Sequence, residues 1–193
     1  MTTRIFTAAN QLTLLRFVFL PFFIIAIEYG HYRWALLIFV IAGLTDGLDG
    51  LLARLFHQQT DIGAFLDPIA DKLLLSSAFI LLAVKGKVGW WLTILVLSRD
   101  LLIIATVAII VLFSDYRRFP PSLYGKINTG AQILAVLVVM AAEVAQTPPL
   151  HSTGQLLLYL AAATTVISGV HYIFSIAHRL RVHPSAGSPG STG

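Results

Sequence analysis

Six stretches of this chain are long and apolar enough to cross a membrane, and only short polar breaks separate them. They run 11–28, 33–56, 67–84, 88–113, 121–146 and 154–177, each near the ~20 residues that span a hydrocarbon core as a helix. The breaks are Glu28 to Arg33, the polar His57–Asp61 stretch, Lys85-Gly86-Lys87, Ser114 to Pro121, and Thr147-Pro148-Pro149. Connections this short make consecutive helices antiparallel neighbours in one bundle. The expected fold is therefore an all-α integral membrane protein, a six-transmembrane-helix bundle forming one domain over residues 1–182. The Ser-, Gly- and Pro-rich tail 183–193 cannot bury enough apolar surface to order itself.

Composition supports this reading. Hydrophobic residues make up 57% of the 193 and charged ones 11%, against about 25% charged in an ordinary soluble domain. With no cysteine, disulfides and thiolate metal sites are excluded. The first apolar run carries Arg16 and lacks a small-residue cleavage site, so it reads as a span that stays. The net charge of +4 comes from basic residues near the ends of apolar runs, which suits anionic lipid headgroups and not nucleic acid. An even number of spans puts both termini on one side. That side collects Arg4, Arg54, Arg117, Arg118, Arg179 and Arg181, and the other Arg33, Lys85 and Lys87. The excess orients both termini to the cytoplasm.

Five of the nine acidic residues fall between Asp46 and Asp71, at the facing ends of spans two and three. An aspartate near the middle of a bilayer costs roughly 2.5–3.5 kcal/mol on insertion scales. Four of them need more positive charge than the single Arg54 provides. On a helix Asp46 and Asp49 share one face, as do Asp67 and Asp71. Four hard oxygen donors brought together by two antiparallel helices suit Mg²⁺ or Mn²⁺, and a pair of such ions would neutralise the cluster. Gly50 and Ala53 are small near the same stripe and allow a ligand or helix to approach closely. Arg54 offers a fork for a phosphate. A lone D-x2-D on a helix is usually a solvated face, and a lone intramembrane carboxylate is as readily an ion relay. Eight specified residues at fixed spacing are neither.

The pattern D-x2-D-G-x2-A-R-x8-G-x3-D-x3-D is filled by Asp46, Asp49, Gly50, Ala53, Arg54, Gly63, Asp67 and Asp71. With the six-helix layout and a first helix bearing Asn10, Thr13 and Arg16, the chain resembles the CDP-alcohol phosphatidyltransferases over nearly all its length except the tail. The resemblance implies a phospholipid-synthesising enzyme whose CDP-diacylglycerol lays its pyrophosphate on two metal ions. By position Asp46, Asp49 and Asp67 would be ligands, and Asp71 would take the acceptor hydroxyl's proton while also touching a metal. Gly50 and Ala53 would leave room for cytidine, and Arg54 and Gly63 would help hold the nucleotide. The site would face the cytoplasm from the inner membrane of a bacterium, and a homodimer is compatible with the family.

Other charged residues bear on the acceptor. Arg99 either pairs with a carboxylate such as Asp100 or, with Lys126, lines a pocket for an anionic acceptor. Adjacent helical residues point about 100° apart, so Arg99 and Asp100 need not pair. Glu143 has no evident partner, His171 reads as a packed residue, and Trp34, Trp90 and Trp91 read as interfacial anchors. Two branches of the family fit. The one using glycerol 3-phosphate, giving phosphatidylglycerophosphate, comes first. The alternative is the CMP-forming branch that makes cardiolipin from phosphatidylglycerol, toward which Ser98-Arg99-Asp100 and Asn128 lean. An ion-coupled transporter is a remote third, because paired repeats with broken helices are not found.

Overall fold

The structure, a computed structural model, describes the backbone of residues 8–56, 61–113 and 123–182, and the side chains of 17–45, 72–105, 123–172 and 174. Six helices follow one another: α1 (Ala8–Glu28), α2 (Tyr32–Phe56), α3 (Asp61–Val84), α4 (Trp90–Phe113), α5 (Leu123–Ala145) and α6 (Pro148–Val182). Each corresponds to one apolar stretch. The largest departures are at α3, which begins six residues early, and α6, which is longer at both ends. Asp61 opens α3 where a negative side chain favours the helix dipole. Thr147 precedes α6, its carbonyl accepting from Leu150 and His151, and Pro148 takes the first helical position, where its missing N–H costs nothing.

Three connections gather at one end. α1 and α3 both stop in a six-residue hydrogen-bonded cap with a left-handed glycine. Gly30 (φ 73°) and Gly86 (φ 70°) donate to Ile27 and Ala83, and His31 and Lys87 donate one bond further back, to Ala26 and Leu82. Gln146 makes the corresponding turn after α5 at φ 51° without glycine. Ion pairs join these connections. Lys85 reaches Glu28 at 3.1 Å, and Lys87 reaches Glu143 at 2.7 Å. The latter gives Glu143 the partner its sequence context does not reveal, and the hydrogen bond to Glu143 holds the Lys87 ammonium above its ordinary pKa against a smaller opposing effect of burial. Trp34, Trp90 and Trp91 stand exposed around this end, where anchors are expected.

Among the described residues the helix contacts close a ring: α1 against α2, α2 against α5, α5 against α6, α6 against α4, α4 against α3, and α3 against α1, with α3 also touching α5. Phe23 and Ile27 of α1, Phe79 and Leu82 of α3, and Val136 and Met140 of α5 fill the middle and are fully buried. Phe23 meets Phe39 of α2 with ring centroids 5.7 Å apart. The outside is also apolar, with Phe22, Ile94, Leu101 and Leu156 each more than half exposed. A helix bundle apolar inside and out is built for lipid. Two helical segments with described side chains, Leu123–Ala145 and Pro148–Tyr172, are long and apolar enough to cross a membrane by themselves.

Candidate functional site

The aspartate-bearing segments occupy the end of the bundle opposite the three caps. Backbone through 46–56 and 61–71 is helical, so the three- and four-residue spacings of Asp46/Asp49 and Asp67/Asp71 do place each pair on one helix face. The side chains of these four, and of Gly50, Ala53, Arg54 and Gly63, lie outside the described residues. Their surroundings do not. α2 and α3 both pack on α1 and on α5, and between α2, α3 and α5 lies a cavity of about 460 Å³. Its walls include Phe39, Gly43 and Leu44 of α2, Lys72 and Leu75 of α3, and Thr129 and Ile133 of α5. Leu44 is two residues before Asp46 and Lys72 directly follows Asp71. At 1.5 Å of rise per residue, the cavity begins within one turn of both aspartate segments. Apart from Lys72 and Thr129 the named wall is apolar, and nothing lies within 4 Å of where a side chain on Gly43 would start.

Lys126 and Arg99 are placed very differently. Lys126 is exposed in the first turn of α5 and makes no ion pair with a described residue. It precedes the cavity-lining Thr129 by three positions and so shares its helix face. Arg99, on α4, does not line this cavity. It is buried, donating from one terminal nitrogen to Asp100 at 2.8 Å and from the other to Ser168 of α6 at 2.6 Å. The neighbouring residues do pair, because the long, flexible arginine stem lets the guanidinium reach the adjacent carboxylate. Asp100 also receives Lys72, whose ammonium sits 2.8 Å from each carboxylate oxygen. Asn128 is fully buried and turned to α6, accepting from Thr164 and Thr165 at 3.0 and 2.9 Å. Its identity therefore bears on helix packing before acceptor charge.

Residues 6–167 match the sequence profile of the CDP-alcohol phosphatidyltransferases. The chain belongs to the CDP-alcohol phosphatidyltransferase family. Similar proteins include a "Probable phosphatidylglycerophosphate synthase" of Mycobacterium tuberculosis, 41% identical over 182 residues covering 88% of this chain and 81% of that one. A "CDP-diacylglycerol--glycerol-3-phosphate 3-phosphatidyltransferase" of Sodalis glossinidius is 35% identical over 89% of this chain and 96% of its own. One of the same name from Bacillus subtilis is 33% identical over 86% and 93%.

As a CDP-alcohol phosphatidyltransferase this chain is a membrane-associated transferase. Sequence reasoning did not find Lys72 or Asp100 as members of a network reaching the aspartate helix. One signal was available. The two residues lie about equally far from the short α3–α4 connection, and in an antiparallel pair such residues come level. His171 is exposed, with its ring 4.4 Å from that of Tyr124.

Proposed function

We propose that this enzyme transfers the phosphatidyl group of CDP-diacylglycerol to glycerol 3-phosphate, releasing CMP and forming phosphatidylglycerophosphate. The observation that carries the reading is the largely apolar cavity between α2, α3 and α5, which starts beside both aspartate segments. A donor whose reacting phosphorus sits between a nucleotide and two acyl chains needs a polar end continuous with an apolar slot. Relatives 33–41% identical over most of this chain carry the glycerol 3-phosphate acceptor or the phosphatidylglycerophosphate product in their names, which supports that acceptor over phosphatidylglycerol.

All six helices are read as spans. The shortest, α1, has 21 residues, enough at 1.5 Å each for a ~30 Å hydrocarbon core. Both termini and the aspartate end face the cytoplasm, in a bacterial inner membrane, where nucleotide-activated lipid and soluble acceptor meet. On helical spacing Asp46 and Asp49 would share one face of α2, and Asp67 and Asp71 one face of α3. An all-oxygen, all-anionic donor set of this kind fits two Mg²⁺ or Mn²⁺ ions. When bound, such ions neutralise charge building on the diphosphate and ease departure of CMP.

The remaining work falls to side chains. Asp71 takes the proton of the acceptor hydroxyl as its oxygen bonds to the phosphorus bearing diacylglycerol, and the bond from that phosphorus to the CMP oxygen breaks. Arg54 and Gly63 hold the nucleotide, with Gly50 and Ala53 leaving space for cytidine. Lys126, on the cavity face of α5 and free of ion pairs with described residues, meets the acceptor's phosphate. Arg99 acts through packing, since both its terminal nitrogens are engaged within the bundle. Purified protein supplied with CDP-diacylglycerol, glycerol 3-phosphate and Mg²⁺ or Mn²⁺ should release CMP, and excess EDTA should stop it. CMP release undiminished by EDTA would remove the metal from the account, and no release at all would remove the reaction.

A further inference from the structure

Asp100 stands against two cations in a bundle with little other charge. Its carboxylate is buried, 5% exposed, and takes Lys72 at 2.8 Å on both oxygens and Arg99 at 2.8 Å on one. Arg99 has a second anchor in Ser168. The Lys72 ammonium has only Asp100 as a partner among the described residues. Its position matters, because Lys72 directly follows Asp71 on α3 and is the nearest cation in the sequence to the Asp67/Asp71 pair. A lysine head is a compact charge on a flexible four-carbon stem. Half-buried and left without its partner, it would turn to another carboxylate. The nearest along the chain belong to the helix that carries it.

We propose that Asp100 is a positioning residue that holds Lys72 away from the α3 carboxylates, leaving Asp67 and Asp71 free for a divalent cation. This rests on the reading of the four aspartates as a metal site. It gives the Arg99–Asp100 pair a function without contact with substrate: the arginine neutralises and orients the carboxylate, and the carboxylate restrains the lysine. Both Lys72–Asp100 distances are 2.8 Å, so the ammonium is held against α4 by the two carboxylate oxygens together.

The test reads metal binding directly. Purified full-length protein without substrate is titrated with Mn²⁺, and free Mn²⁺ is followed by electron paramagnetic resonance. Asp100→Asn keeps an acceptor for Arg99 and removes the charge that holds Lys72. It should weaken Mn²⁺ binding about tenfold or more, the low end of what an opposite charge at salt-bridge distance does to a carboxylate. Adding Lys72→Met should bring the dissociation constant back to within about twofold of wild type, the usual scatter of additive free energies. Unchanged binding in a folded Asp100→Asn protein, or weakened binding that persists in the double variant, overturns the proposal. Lys72→Met alone keeps it testable should Asp100→Asn fail to fold. That variant should bind Mn²⁺ at least as tightly as wild type, and a tenfold weakening would make Lys72 a support of the site. If wild-type protein itself binds no Mn²⁺, the metal reading fails and takes this proposal with it. Wild-type binding with an indifferent Asp100→Asn defeats this proposal alone.

Discussion

Asn128 is fully buried between α5 and α6, yet replacing it with leucine should cost little. Its side-chain oxygen accepts from the hydroxyls of Thr164 and Thr165. Each hydroxyl has one proton, and each also lies within reach of the Ala161 carbonyl, Thr164 at 3.0 Å and Thr165 at 2.7 Å. Asn128→Leu therefore strands neither threonine. It also removes the asparagine's buried NH₂, which has no partner among the described residues. Two neutral hydrogen bonds at about 0.5–1.5 kcal/mol each are lost, but both donors fall back on Ala161 and an unsatisfied donor disappears, so the net change should stay within about 1 kcal/mol. Asn128→Asp has nearly the same shape and places a carboxylate where the described polar neighbours are the two threonine hydroxyls and Gln132. An uncompensated buried charge of this kind costs about 3–5 kcal/mol. Thermal or denaturant unfolding of the purified variants in one detergent reads both. A loss above about 2 kcal/mol for Asn128→Leu would show that the fall-back to Ala161 is not available. An aspartate as mild as the leucine would show that this part of the interface is not dry.

Other outcomes follow from the site. Asp71→Asn should abolish transfer while leaving CDP-diacylglycerol binding largely intact, whereas Asp49→Asn should weaken both metal and nucleotide binding; near-normal turnover in Asp71→Asn moves the base elsewhere. Lys126→Ala should raise the acceptor KM or lower kcat/KM about tenfold or more with little change in CDP-diacylglycerol affinity, as loss of a charge-assisted contact of about 1.5–3 kcal/mol requires. Gly43→Leu projects into the open cavity and should weaken CDP-diacylglycerol binding in a folded protein, checked by lipid binding alongside thermal unfolding; unchanged binding would mean the donor's chains lie elsewhere.

The helices were legible because lipid demands long apolar segments whose backbone bonds close internally, and all six stretches correspond to helices. Their ends were less so. Asp61 to Leu66 adjoins the polar His57–Asp61 stretch and lies outside the marked span but is helical all the same, and the Arg179–Arg181 turn of α6 continues past the apolar run because cations suit a helix C-terminus. The aspartate pattern was legible from spacing alone. What spacing does not carry is which helices become neighbours across the bundle. Arg99 looked equally suited to a pocket or a pair, and its engagement depends on α6 supplying Ser168. Lys87 and Glu143 are joined only once the α3–α4 connection lies beside the end of α5. Asn128 reads as a polar pocket residue in one dimension and as an interhelical one in three, since it and Thr165 lie equally far from the α5–α6 connection.

The most direct measurement gives purified enzyme CDP-diacylglycerol with either glycerol 3-phosphate or phosphatidylglycerol and identifies the lipid product by mass. Phosphatidylglycerophosphate is expected from the first mixture and no cardiolipin from the second. Cardiolipin as the sole product would contradict the acceptor assignment, and no phosphatidyl product from either would contradict the transferase itself.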